Sequence, residues 1–241
     1  MVKFSQTRPE LTLNATEKPT GHWGPLVLDK YVAPELSSLT VCSAPPIDEP
    51  PKHFVTMMLN HISNVVGVRD ELLPHAAVFL RRVWVAVDEY RSGREGLQQY
   101  VADLPRTNKQ TMLFLSALSH FDHCIINGYV AQVTLERLFK HATSGKTFSD
   151  FQRGDGSVLD RVRELYDSVR HFDDRVVAGK PSEHPAPMWI TNDGLKCRPR
   201  GSGKPPVTVT FSELVEFLDS LSENARIIAD PGYQAELVAN Q

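Results

Sequence analysis

A chain of 241 residues, 41% hydrophobic and 23% charged, carries enough apolar material to bury a core without disulfides or structural metals. Its 26 basic and 29 acidic residues leave a formal charge of −3, a balance that argues against a protein wrapped on duplex DNA. Three scattered cysteines, Cys42, Cys124 and Cys197, form no CxxC pair, which speaks against a zinc ribbon or a disulfide framework and for reduced thiols.

The first twenty residues are polar and lack the apolar stretch of a secretory signal. No apolar run approaches the length of a membrane span. The expectation is a soluble, cytoplasmic protein with no membrane partner.

Residues 1–52 read as a Pro-rich N-terminal arm packed on a folded body. Pro9, Pro19, Pro25, Pro34, Pro45, Pro46, Pro50 and Pro51 forbid a long helix there. Two short apolar runs in the arm, 26–28 and 39–42, read as edge strands. The body, 53–241, reads as one mainly α domain: a helical bundle with a small β insertion at 187–210. Between 53 and 66, Phe54, Val55, Met58, Leu59, Ile62, Val65 and Val66 recur at helical spacing.

Asp70 has the character of an N-cap, with Pro74 in the first turn of a helix running to about Tyr90. A separate short helix is expected over 94–104. The most apolar helix spans 108–142, with Gly128 in its middle marking a close crossing. Another, over 157–178, repeats Leu159, Val162, Leu165, Val169 and Phe172 at helical spacing.

After residue 179 the pattern changes to short alternating runs. Met188 to Thr191, then Asn192-Asp193-Gly194, then Leu195 to Cys197 reads as a hairpin, and Val207 to Val209 as a third strand. Thr210-Phe211-Ser212-Glu213 is a capping box opening a last helix.

Several catalytic patterns are missing. Gly145-Lys146-Thr147 ends like a phosphate-binding P-loop, but Lys140 stands where that loop needs glycine and a helix precedes it. No GxSxG elbow and no HExxH is present.

Two polar stripes remain. At about 100° per residue, Ser116, His120, His123 and Asn127 share a narrow face of the long apolar helix. On the later helix Arg163, Asp167, Arg170, His171 and Asp174 share the face opposite Val162, Val169 and Phe172. On that helix, pairs one turn apart such as Asp167 with His171 also read as ordinary decoration of a solvated surface. Side by side, the stripes assemble histidine, arginine and carboxylate for general acid–base work on a phosphodiester.

The run Leu165-Tyr166-Asp167-Ser168-Val169-Arg170-His171-Phe172-Asp173-Asp174-Arg175 resembles the later helix of HEPN-type domains. The apolar helix with His120-Phe121-Asp122-His123 is similar to the long helix before it. The resemblance covers about 108–179 and implies a helical bundle, often dimeric, and often a metal-free ribonuclease of bacterial defence or toxin–antitoxin systems.

That family spaces an arginine from its histidine. Here Arg170 directly precedes His171 and Tyr166 stands five residues before it, so an inactive relative that keeps the dimer interface fits equally. The catalytic reading assigns proton transfer to His171, phosphate charge to Arg170 and orientation of the histidine to Asp167. His120 and His123 join from the neighbouring helix. RNA and a second copy or a protein are the implied partners, with no cofactor.

Two other readings stand beside it. A non-catalytic interaction module would use the arm and the basic loop of Arg198, Arg200 and Lys204. A metallohydrolase would place metal on His120, His123 and Asp174, although the further carboxylates of a bundle metal site are missing.

Overall fold

The computed structural model describes residues 36–48, 55–57, 59, 70–102, 108–142, 153–172, 186–198 and 205–230. Within these residues the fold is mainly α, with one small antiparallel sheet. The expected strand at 26–28, most of the helix expected at 53–66, and residues 173–178 of the helix expected at 157–178 lie outside them.

Two long antiparallel helices form the spine. Helix α1, Leu73–Ala102, follows a tight turn at Asp70–Leu72 and holds Pro74 in its first turn. Its buried side is written at three-to-four spacing: Ala76, Phe79, Leu80, Val83, Ala86, Val87, Tyr90, Leu97 and Tyr100. The break expected after Tyr90 does not occur. Gly93 and Gly96 pack against the Phe121 ring and Ala117, and Leu97 and Tyr100 carry the apolar stripe onward, so packing holds the ladder together.

Helix α2, Asn108–Ala142, has the bounds that its sequence predicts. Buried Phe114, Ala117, Phe121, Cys124, Ile125 and Ala131 face the other elements. Phe121 meets Tyr90 edge-on at 5.9 Å between centroids. A fully buried Phe contributes about 1.5–3 kcal/mol relative to exposure.

Helix α3, Val158–Arg170, meets α2 through Tyr166 on Tyr129, with centroids 4.5 Å apart. Strands β1, Met188–Ile190, β2, Gly194–Cys197, and β3, Val207–Thr210, pair antiparallel in that order. Met188 faces Cys197, and Leu195 faces both Ile190 and Val209. At Gly194 the chains approach so closely that a Cβ would lie 2.2 Å from the Val209 carbonyl oxygen.

Helix α4, Phe211–Ala229, opens with the expected capping box. The Thr210 hydroxyl accepts from the Glu213 N–H, and the Glu213 carboxylate accepts from the Thr210 N–H. It crosses α2 at Gly128, where a Cβ would come 3.1 Å from the Phe217 ring, and Phe211 packs on Phe121 at 5.4 Å.

Arm residues 39–42 are not a strand, contrary to expectation. A tight turn at Leu36–Ser38 leads into extended chain whose Thr40 and Val41 amides donate to the Asn192 side chain. These amides are satisfied by one side-chain oxygen in the hairpin turn, which no ladder requires. Farther on, the Tyr90 hydroxyl donates to the Pro45 carbonyl and Arg94 Nε to the Ala44 carbonyl, tying the arm to α1.

Candidate functional site

Helical geometry puts Ser116, His120, His123 and Asn127 on one edge of α2. On α1, Arg82 and Glu89 are seven residues apart, so they share the edge that faces them. Where these edges meet, one carboxylate serves two imidazoles. Glu89 Oε2 lies 2.6 Å from His120 Nδ1, and Glu89 Oε1 lies 3.7 Å from His123 Nδ1. The Glu89 side chain is 22% exposed, against 37% and 56% for the two histidines. The carboxylate is thus sheltered, while both rings reach solvent.

The seam continues one turn along α2. Arg82 Nη1 donates to Asn127 Oδ1 at 2.6 Å, and Asn127 Nδ2 donates to the His123 carbonyl at 2.8 Å. Asn127 is buried, and its two hydrogen bonds satisfy the polar group where it is costly to leave bare. Arg82 Nε is also buried and has no hydrogen-bond partner among the described residues.

An ionised carboxylate accepts only, so with Glu89 charged the short contact requires the hydrogen on His120 Nδ1 and leaves Nε2 as the nitrogen for proton exchange. This is how a carboxylate orients a catalytic imidazole. Glu89 and Arg82 had no motif to announce them. The only sequence signal was their two-turn spacing on one helix, and nothing in the sequence set that helix beside the histidines.

The other candidates stand elsewhere. Asp167 and Arg170 lie in the last turn of α3, and His171 caps it, its backbone N–H donating to the Asp167 carbonyl. Helix α3 covers the Tyr129 flank of α2, about 180° around that helix from His120. The fold therefore brings His120 and His123 together on Glu89 and does not set the two polar stripes side by side.

Arg163 also departs from its expected place. Expected on the solvated face of α3, it is buried and bridges Asp160 and Glu164 at 2.8 Å each. Asp160 in turn accepts from the amides of Gly154 and Gly156, so this arginine is held by a loop that helical periodicity cannot reveal.

Asp174 and residues 199–204 of the basic loop lie outside the described residues. Among the described residues no three His, Cys, Asp or Glu side chains converge as a metal site would need.

The cysteines are poorly placed for nucleophilic work. Burial raises the Cys42 and Cys124 thiols above the ordinary range and pushes Cys197 up to about 12, the opposite of an activated thiolate. Asp122, on α2 beside the histidines in sequence, is half-buried with its Oδ1 shielded from solvent, and burial pushes its carboxyl up to about 7. Its Oδ1 has no hydrogen-bond partner among the described residues.

Comparison of the chain with protein-family models, with curated proteins and with solved structures finds no match. Among the described residues no helix is long and apolar enough to cross a membrane.

Proposed function

We propose that the chain is a metal-free ribonuclease of the HEPN type in which His120 and His123, oriented by Glu89, transfer the protons. The observation that carries this reading is the single carboxylate within 2.6 Å of one imidazole and 3.7 Å of the other. Cleavage by the RNA's own 2′-hydroxyl needs a base and an acid near the same phosphate. His120 Nε2 takes the 2′-hydroxyl proton as the 2′-oxygen bonds to phosphorus. Protonated His123 gives its proton to the departing 5′-oxygen, which leaves a 2′,3′-cyclic phosphate and a 5′-hydroxyl. Arg82, farther along the seam, adds positive charge for the phosphate.

Asp167, Arg170 and His171, the set that the HEPN resemblance marks, enter this reading as a separate proton-handling set on α3. The two sets are separable by mutation. With single-stranded RNA and a chelator present, His120→Ala is expected to slow cleavage by about 10²–10⁴-fold, while His171→Ala has a lesser effect. An oligonucleotide lacking the 2′-hydroxyl is expected to stay intact. Cleavage that survives His120→Ala and His123→Ala but is lost with His171→Ala would transfer the role to α3. No cleavage by the native chain would remove the ribonuclease reading altogether.

A further inference from the structure

Helix α1 has a third side, turned away from both the core and the histidine seam. Arg81, Trp84, Asp88, Arg91 and Glu95 follow one another there at spacings of three and four, so they form a single stripe. Trp84 is 51% exposed. Arg81, Asp88 and Glu95 are exposed as well, and Arg91 is half-buried. Among the described residues, none of the four charged side chains is in an ion pair with another part of the chain. Trp84 is a large aromatic half in water among unpaired alternating charges, a side chain of the type that anchors contacts.

The order of the charges selects the occupant. Two positive and two negative side chains cancel, and Asp88 and Glu95 would repel a nucleic-acid backbone. A parallel copy of the stripe would set like charge on like. An antiparallel copy, related by a two-fold axis passing near Asp88, sets Arg81 against Glu95 and brings the two Asp88 side chains together between the two Arg91 side chains. Arg81 is seven residues before the axis and Glu95 seven after it, so each meets the other's counterpart twice. Arg91 of each copy lies about 4.5 Å of helix rise from Asp88 of the other, within reach of an arginine side chain. The same guanidinium is placed to stack on Trp84.

We propose that this face of α1 is a self-association surface on which a second copy of the chain docks antiparallel, anchored by Trp84 and registered by Arg81 with Glu95. The stripe lies roughly a third of a turn from Glu89, so the dimer leaves the histidine seam open. The proposal is independent of the ribonuclease reading.

Light scattering and sedimentation equilibrium on the full chain test it. The expected mass is twice the 27.0 kDa of one chain. Trp84→Ala is expected to weaken association by about 10-fold or more, with the helical circular dichroism unchanged. Arg81→Glu and Glu95→Arg should each disrupt the dimer, and the two together should restore it. A native chain that stays at one-chain mass at the highest attainable concentration overturns the proposal. So does a dimer indifferent to Trp84→Ala and Arg81→Glu, or a double exchange that fails to restore it. Loss of single-stranded RNA binding in Trp84→Ala at an unchanged one-chain mass would make this a nucleic-acid surface instead.

Discussion

Asp122 illustrates what a single buried carboxyl does to the molecule. Burial alone raises it to about 7 from the 3.8 of a solvated aspartate, and Oδ1 gains no compensating hydrogen bond among the described residues. The folded form therefore holds its proton longer than the unfolded chain. The stabilising effect is fully present below about pH 4, declines as pH rises through the window up to about 7, and is lost above it. Asp122→Asn is expected to flatten that decline, leaving the variant roughly 2–4 kcal/mol more stable than the native chain above pH 7 and nearly equal to it in acid. Urea unfolding of both proteins across that window measures the difference, and parallel pH curves would refute the assignment. The reach of the sequence differs residue by residue. His120, His123 and Asn127 were legible as a polar stripe because the period of one helix fixes them. Glu89 was not, because only the packing of α1 on α2 decides which of the three α1 carboxylates, Asp88, Glu89 or Glu95, meets an imidazole.

At the scale of elements, local chemistry was the legible part. The bounds of α2, the Thr210–Glu213 capping box and the hairpin at Asn192-Asp193-Gly194 all follow from short-range preferences, and the structure contains each. The continuity of α1 and the burial of Arg163 depend on neighbours distant in sequence. Arg161 shows how such neighbours join elements. It donates two hydrogen bonds to Glu213, at 2.6 and 3.1 Å, and one to the Thr208 carbonyl, linking α3 to β3 and to the first turn of α4. Foremost because of Arg161, the Glu213 carboxyl is held below its ordinary range. That contribution is present above the ordinary carboxylate range and is lost as pH falls through the lowered value. Both side chains are about a quarter exposed, which limits it. Arg161→Ala is expected to cost about 1–2 kcal/mol near neutral pH and less in acid. Thermal unfolding at two pH values checks it, and an equal loss at both would show that the charge pair is not the cause.

Across the whole molecule, α1 organises three surfaces at once. Its apolar side builds the core with Phe121, its Arg82–Glu89 edge builds the histidine seam, and its Arg81–Glu95 stripe faces solvent. The mainly helical class was readable from periodicity throughout. Which flank of α2 each neighbour covers was not, because Tyr129 on Tyr166 and Gly128 on Phe217 are pairings of shape that no single-helix pattern encodes. Division of the proton transfers between two imidazoles on one carboxylate is tested most directly by the pH–rate profile of RNA cleavage. A bell is expected, because His120 must be neutral and His123 protonated. Residual activity in His120→Ala should lose the acid limb, and in His123→Ala the alkaline limb. A profile whose two limbs survive in both variants would contradict it.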